Sequence, residues 1–172
     1  MKIGLLSDSH QKIDLTNDAI KLLKENKAQY LVHAGDLCLE ENLKLLENSN
    51  LPYVSVLGNN DHNLINLINK YKLFQEPYYF KIKDYKFKLM HLPYYMSPDS
   101  DIIIFGHTHI FEHSYQNKKL FINPGEICAR EKPISECAIL EIKQNQYIIT
   151  HYYKQLNTKN PIWETKEFIY ER

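Results

Sequence analysis

Along the N-terminal part of the chain, short unbroken apolar runs alternate with stretches whose apolar residues recur at helical spacing. Lys2-Ile-Gly-Leu-Leu-Ser7 reads as a buried strand. From about Asp14 to Asn26, Leu15, Ala19, Leu22 and Leu23 fall at i, i+4, i+7 and i+8, which predicts a helix. Tyr30 to His33 is a second strand. Glu40 to Asn48, with Leu39, Leu43 and Leu46 on one face, is a second helix. Pro52 to Val56 is a third strand, and Leu64, Leu67, Ile68 and Tyr71 predict a further helix from Asn63 to about Lys70. Strand, helix, strand in repetition implies a mostly parallel sheet with right-handed crossovers.

The pattern then changes to period two. Residues 78–83 and 85–90 alternate apolar and polar around Lys83-Asp84, the signature of a hairpin with one solvated face. Leu92 to Ser100 reads as an irregular loop. Asp101-Ile-Ile-Ile-Phe105 is a short buried strand. Ile110 to Tyr115 and Lys119 to Ile122 flank a Gln-Asn turn, and Glu136 to Ile142 and Gln146 to Tyr153 form a last hairpin around Asn145. The segment 154–172 has mixed charge with no clear period. Trp163, Phe168 and Tyr170 within it are costly to leave in water, so it is expected to dock on the domain or on a neighbouring subunit.

Composition narrows the class. The chain has 172 residues, 44% hydrophobic and 24% charged, which suits one domain with a sizeable core. The reading is a single domain over 1–172, with its core at about 1–153 and an extension at 154–172. Lys+Arg and Asp+Glu both number 21, so no net field draws it to nucleic acid or a membrane. Cys38, Cys128 and Cys137 are odd in number and lack C-x-x-C spacing, against a disulfide scaffold or zinc ribbon. With neither signal peptide nor long apolar run, the expected location is the cytoplasm of a bacterium or archaeon. The 13 tyrosines are compatible with homo-oligomer contacts.

The chemistry sits where apolar runs end. Asp8 and His10 follow the first strand, Asp36 the second, Asn59 the third, His91 the hairpin, and His107 and His109 the triple-isoleucine strand. Two carboxylates, one amide and four imidazoles at five strand ends suit one shared site, because α/β sheets carry ligands at that edge. Seven donors exceed one ion and suit two ions about 3.5–4 Å apart sharing a carboxylate. A nitrogen and oxygen set without thiolate favours Mn, with Ni, Fe, Co or Zn as alternatives, over Ca or Mg. Two dications against Asp8 and Asp36 leave an electropositive site for an anion and a bridging hydroxide, which fits phosphate esters. By contrast, His33 precedes its glycine within the strand and reads as a hydrogen-bonded core residue. Cys38, two residues after Asp36, is within reach of a metal but reads better as small and buried; Arg130 is the one nearby cation for a dianionic phosphate but reads better as a solvated surface residue.

In order, D-x-H, G-D, G-N-x-D, H and G-H-x-H resemble the calcineurin-like metallophosphoesterases. The short length and the G-H-T-H spelling are similar to the small bacterial and archaeal phosphodiesterase branch, which also includes the retromer subunit of this fold. The resemblance covers about residues 1–150. It implies a four-layer αββα sandwich of two mixed sheets flanked by helices. It also implies Asp8, His10, Asp36 and His109 on one metal, with Asp36 bridging, and Asn59, His91 and His107 completing the other. Asn59, Asn60, Asp61 and His91 are its candidate catalytic residues, and hydrolysis of a small-molecule phosphodiester by a metal-bound hydroxide is the implied reaction. A non-catalytic interaction scaffold, or a phosphomonoesterase or phosphoprotein phosphatase, is the alternative. Two departures stand out. Asn60 replaces a histidine that can donate a proton, leaving His62 as the nearby candidate acid. Asn123-Pro-Gly-Glu126 carries Glu126 where the family segment ends in Ser.

Overall fold

The computed structural model describes residues 1–172, and two facing sheets dominate it. The first half supplies β1 (Lys2–Leu6), α1 (Ile13–Glu25), β2 (Tyr30–His33), α2 (Glu40–Asn48), β3 (Tyr53–Val56) and the two-residue strand β4 (Leu73–Phe74). The second half is all strand: β5 (Tyr78–Ile82), β6 (Tyr85–Leu89), β7 (Ile102–Ile104), β8 (Phe111–Gln116), β9 (Lys119–Pro124), β10 (Ile134–Ile142), β11 (Gln146–Gln155) and β12 (Trp163–Glu171). The larger sheet has the order β12-β11-β10-β1-β2-β3-β4, the smaller β5-β6-β7-β9-β8, and both are mixed.

Alternation along β1 sorts its side chains between layers. Ile3 and Leu5 point inward, where with Val32, Ala138 and Leu140 they meet Phe87, Leu89, Ile102 and Ile104 of the smaller sheet. Leu6 points outward with Leu31 to meet Ala19 and Leu23 of α1 and Leu43 and Leu46 of α2. Each such fully buried aliphatic side chain contributes roughly 1.5–3 kcal/mol. On the far side of the smaller sheet no helix forms. The loop after β6 supplies the outer layer there, with Met96 against Met90, Ile103 and Phe105. No helix is long and apolar enough to cross a membrane.

Two elements differ from expectation. The predicted helix at Asn63–Lys70 is a 3-10 helix, His62–Leu67. Asn63 and Asn66 are poor helix formers that compete for backbone bonds, so only tight i to i+3 turns persist. The segment 154–172 contains a strand, β12, antiparallel to β11. Its aromatics lie on opposite faces: Trp163 packs with the helical layer, Phe168 and Tyr170 with the layer between the sheets. That split hides the period in the sequence.

Candidate metal centre

Strands β1, β2 and β3 run parallel and adjacent, as do β6 and β7. Their C-terminal ends therefore meet at one edge of the sandwich, and all seven predicted donors lie there. The loops are locked to one another by backbone bonds: Asp8 N–H donates to Gly35 O (3.0 Å), His10 N–H to Asp36 O (2.8 Å) and Cys128 N–H to Asp8 O (3.0 Å). Asp8, His10, Asp36, Cys38, His107 and His109 all adopt left-handed φ between 45° and 70°. Such backbone is disfavoured for these residues, and its concentration here marks a site held by its surroundings. Two glycines make room: a Cβ at Gly58 would lie 2.2 Å from Asp36 Oδ1, and one at Gly106 2.1 Å from Ser7 Oγ.

The donors form two clusters. Asp8, Asp36 and His91 converge as one, with His91 Nε2 3.5 Å from Asp36 Oδ2. Asn59 Oδ1 lies 2.9 Å from His91 Nε2 and 3.0 Å from His107 Nδ1. His10 and His109 form the other, with Cys128. His109 Nε2 stands 3.2 Å from Asp8 Oδ1, and His10 Nε2 3.6 Å from Asp36 Oδ2. His91 Nδ1–H donates to Ala34 O (2.8 Å) and His109 Nδ1–H to Glu126 Oε2 (2.7 Å). These bonds fix both rings with Nε2 facing the site, the outer-shell arrangement of metal-binding imidazoles.

The residues fit divalent cations. Asp8 Oδ1 and His10 Nε2 are buried without a hydrogen-bond partner, an arrangement costly unless a cation lies between them. The charges of the side chains point the same way. Burial pushes the Asp8 carboxyl up, despite the His91 and His109 rings. At Asp36 burial also acts upward, but the bonds from His91 and Asn60 hold its carboxyl well below the usual range. Burial lowers His91, yet Asp36 and Asp8 carry it up to about 9. A proton on His91 thus supplies positive charge that the carboxylates demand.

Other predicted residues sort differently. His33 is a core residue as read, fully buried and 2.7 Å from Ser9 Oγ. Asp61, expected among the catalytic group, is buried and lines neither cavity of the site. Its oxygens accept Leu37, Cys38 and Gly58 N–H, so it holds the Asp36 loop in place. His62 is exposed and lines neither cavity of the site. Cys38 is not a buried apolar residue. It is half-buried, lines the cleft and brings Sγ within 3.3 Å of His10 Nδ1. Arg130 is exposed and paired with Glu131, but it stands on the rim shared by a cavity of about 670 Å³ beside His10 and Lys12 and one of about 320 Å³ over Asp36 and His107.

Three functional positions escaped the reading of the sequence. Glu76 accepts the N–H groups of His91 and Leu92, fixing that loop. Glu126 is fully buried and accepts from His109, Cys128 and the N–H groups of Arg130, Glu131 and Lys132. Burial alone would raise its carboxyl, but these donors hold it at about 2. Cys128 lies within 4.8 Å of the ligand nitrogens of His10 and His109, so a sulfur stands beside the nitrogen and oxygen set read from the sequence. The departure at Glu126 was the one visible signal.

An α/β sandwich whose strand ends gather carboxylates and imidazoles around buried, unpartnered donor atoms is the frame of a metal-dependent phosphoester hydrolase. Residues 1–153 match the calcineurin-like phosphoesterase superfamily domain, and the chain belongs to that superfamily. It is 29% identical over 160 residues to phosphodiesterase MJ0936 of Methanocaldococcus jannaschii, covering 86% of this chain and 96% of that protein. A solved archaeal phosphodiesterase superposes with a TM-score of 0.76 at 26% identity, covering 99% of this chain and all of its own. Vps29 of Chaetomium thermophilum superposes with a TM-score of 0.80 at 14% identity, covering 100% of this chain and 99% of its own, which is a likeness of fold alone.

Proposed function

We propose that the chain is a phosphodiesterase working with two divalent ions, manganese among the candidates. Asp8, His10, Asp36 and His109 would hold one ion, and Asn59, His91 and His107 the other, with Asp36 shared. The observation that carries this reading is that each of the two adjoining clusters of carboxylates and imidazoles holds a buried, unpartnered donor atom, Asp8 Oδ1 in one and His10 Nε2 in the other. Such ions, when bound, lower the pKa of water and stabilise charge on the phosphoryl oxygens.

The chain's own groups orient and bind. Glu126 and the Ala34 carbonyl hold His109 and His91 in one tautomer. Arg130 and the Asn60 amide edge the cavity over Asp36, where they can hydrogen-bond a phosphoryl oxygen. Arg130 is the cation on that rim, fewer than a dianionic monoester would call for, so a singly charged diester is the better match. A scaffold without turnover is the rival from another class. The presence of all seven donors speaks against it, since a site relieved of catalysis has no need to keep so many disfavoured backbones.

The test is hydrolysis of bis-p-nitrophenyl phosphate and p-nitrophenyl phosphate by chelator-stripped protein reloaded with Mn, Co, Ni or Zn. Diester turnover that requires the ion is expected, with circular dichroism unchanged on stripping because the core is apolar. No turnover of the diester with any ion would overturn the proposal.

A further inference from the structure

Cys128 is placed unlike a packing cysteine. Cys137 lies within the apolar layer beneath the helices, whereas Cys128 belongs to none of the apolar clusters although it is 2% exposed. Its sulfur instead lies within 4.8 Å of the ligand nitrogens of both His10 and His109. Glu126 Oε2 accepts from the Cys128 thiol (3.2 Å) and from His109 Nδ1–H (2.7 Å), so one buried carboxylate holds both the thiol and the imidazole. His10 Nε2 is buried and unpartnered, as is Asp8 Oδ1, which lies 3.2 Å from His109 Nε2.

We infer that Cys128 is a thiolate ligand of the ion held by His10 and His109, which makes this position selective for a thiophilic cation of the zinc type over manganese. The inference rests on the two-ion reading above and adds sulfur to its donor set. Donors on a tetrahedral zinc with one sulfur and nitrogen neighbours lie about 3.5 Å apart. Side-chain rotations of order 1 Å bring the present spacing to that value. On binding, the S–H bond would break and a metal–sulfur bond form, with the proton released to solvent at the cleft. No electron is exchanged. Sulfur ranks Zn, Co and Fe above Mn, because Mn prefers carboxylate, carbonyl and water ligands. Glu126 and Cys128 then act together: the carboxylate that departs from the family segment serves as the orienting group for the added ligand.

Cobalt-loaded full-length chain provides the test, since a thiolate on Co(II) gives a charge-transfer absorption that nitrogen and oxygen ligands do not. The band is expected in the wild type, retained in Cys38→Ser and Cys137→Ser, and lost in Cys128→Ser. Competition dialysis against Zn and Mn should show the preference for Zn falling at least about tenfold in Cys128→Ser, the loss typical of disturbing a ligand shell. Should that variant fail to fold, cadmium NMR of Cys38→Ser answers instead, because with Cys38 removed a sulfur ligand that moves the resonance far from that of a nitrogen and oxygen site can only be Cys128. Absence of a thiolate signature in the wild type overturns the inference, as does its survival in Cys128→Ser or its loss in Cys38→Ser. Failure of diester hydrolysis with the band present would instead strike at the phosphodiesterase reading and leave the ligand standing.

Discussion

Asn60 holds Asp36 by two bonds, one from its backbone N–H to Oδ1 at 2.9 Å and one from its side-chain amide to Oδ2 at 2.7 Å. Asp36 is thus gripped at both oxygens by a residue that can donate hydrogen bonds but cannot release a proton at useful cost. His62, the other candidate acid, is exposed and outside the cleft lining.

Protonation of the departing alkoxide is therefore the weak step. A well-placed general acid contributes about 10²–10⁴-fold. Aryl diesters, whose leaving groups need no proton, should be cleaved well and alkyl diesters poorly, giving a steep dependence of rate on leaving-group pKa. Asn60→His should flatten that dependence and help the poorest leaving groups most. A shallow dependence in the wild type would show that another acid serves the site.

Asp36 touches both donor clusters, through His10 Nε2 at 3.6 Å and His91 Nε2 at 3.5 Å. Asp36→Asn keeps the shape and removes the shared charge. Both ions should bind more weakly, by more than the ~10–100-fold that losing an outer-shell partner causes. Metal analysis after dialysis should return fewer than two ions per chain. Two ions retained at wild-type affinity would rule out the bridging role.

The gathering of the candidate donors at one edge was legible because each stands just past an apolar strand, and the strand's direction fixes which edge it reaches. Asp8, Asp36 and Asn59 follow parallel neighbours, so the crossover pattern alone brings them together. Glu126 and Glu76 were not legible in the same way. Their partners, His109 and His91, lie 17 and 15 residues away and meet them only through tertiary packing. Cys38 was read as small and buried, and Cys128 was given no role beyond the cysteine count, because nothing local tells a thiol lining a cleft from one in a core. The strand at 163–171 was hidden for another reason: only three of its side chains are partly covered, Trp163 on one layer and Phe168 and Tyr170 on the other, so no face shows period two along its length.

His33 should govern part of the acid response. Burial, helped by the charge on His91, lowers its pKa to about 3 from an ordinary 6.5. The folded ring stays neutral where the unfolded ring takes a proton. Stability contributed this way is present above about 6.5 and falls as pH drops toward about 3, at up to about 1.4 kcal/mol per pH unit. His33→Gln keeps a polar group facing Ser9 Oγ and cannot titrate. Urea midpoints of metal-free protein across that range should fall less steeply in the variant. Equal slopes would mean that other groups carry the acid response.

Trp163 decides whether β12 belongs to the folding unit. Its indole N–H donates to Asp18 Oδ2 at 3.1 Å, the same oxygen that pairs with Lys154 Nζ at 2.6 Å, so one carboxylate of α1 ties down both β11 and β12. The ring is half-buried against the helical layer. Trp163→Ala removes that packing and leaves Asp18 with Lys154 alone, a loss of roughly 1–2 kcal/mol, below the 3–5 typical of a fully buried ring. Because the chain has one Trp, wild-type fluorescence reports on this strand alone, while far-ultraviolet circular dichroism reports on the whole. The two unfolding curves should coincide, since nine register pairs join β12 to β11. A fluorescence transition at lower urea, or an unchanged midpoint in Trp163→Ala, would show that the strand frays independently of the sandwich.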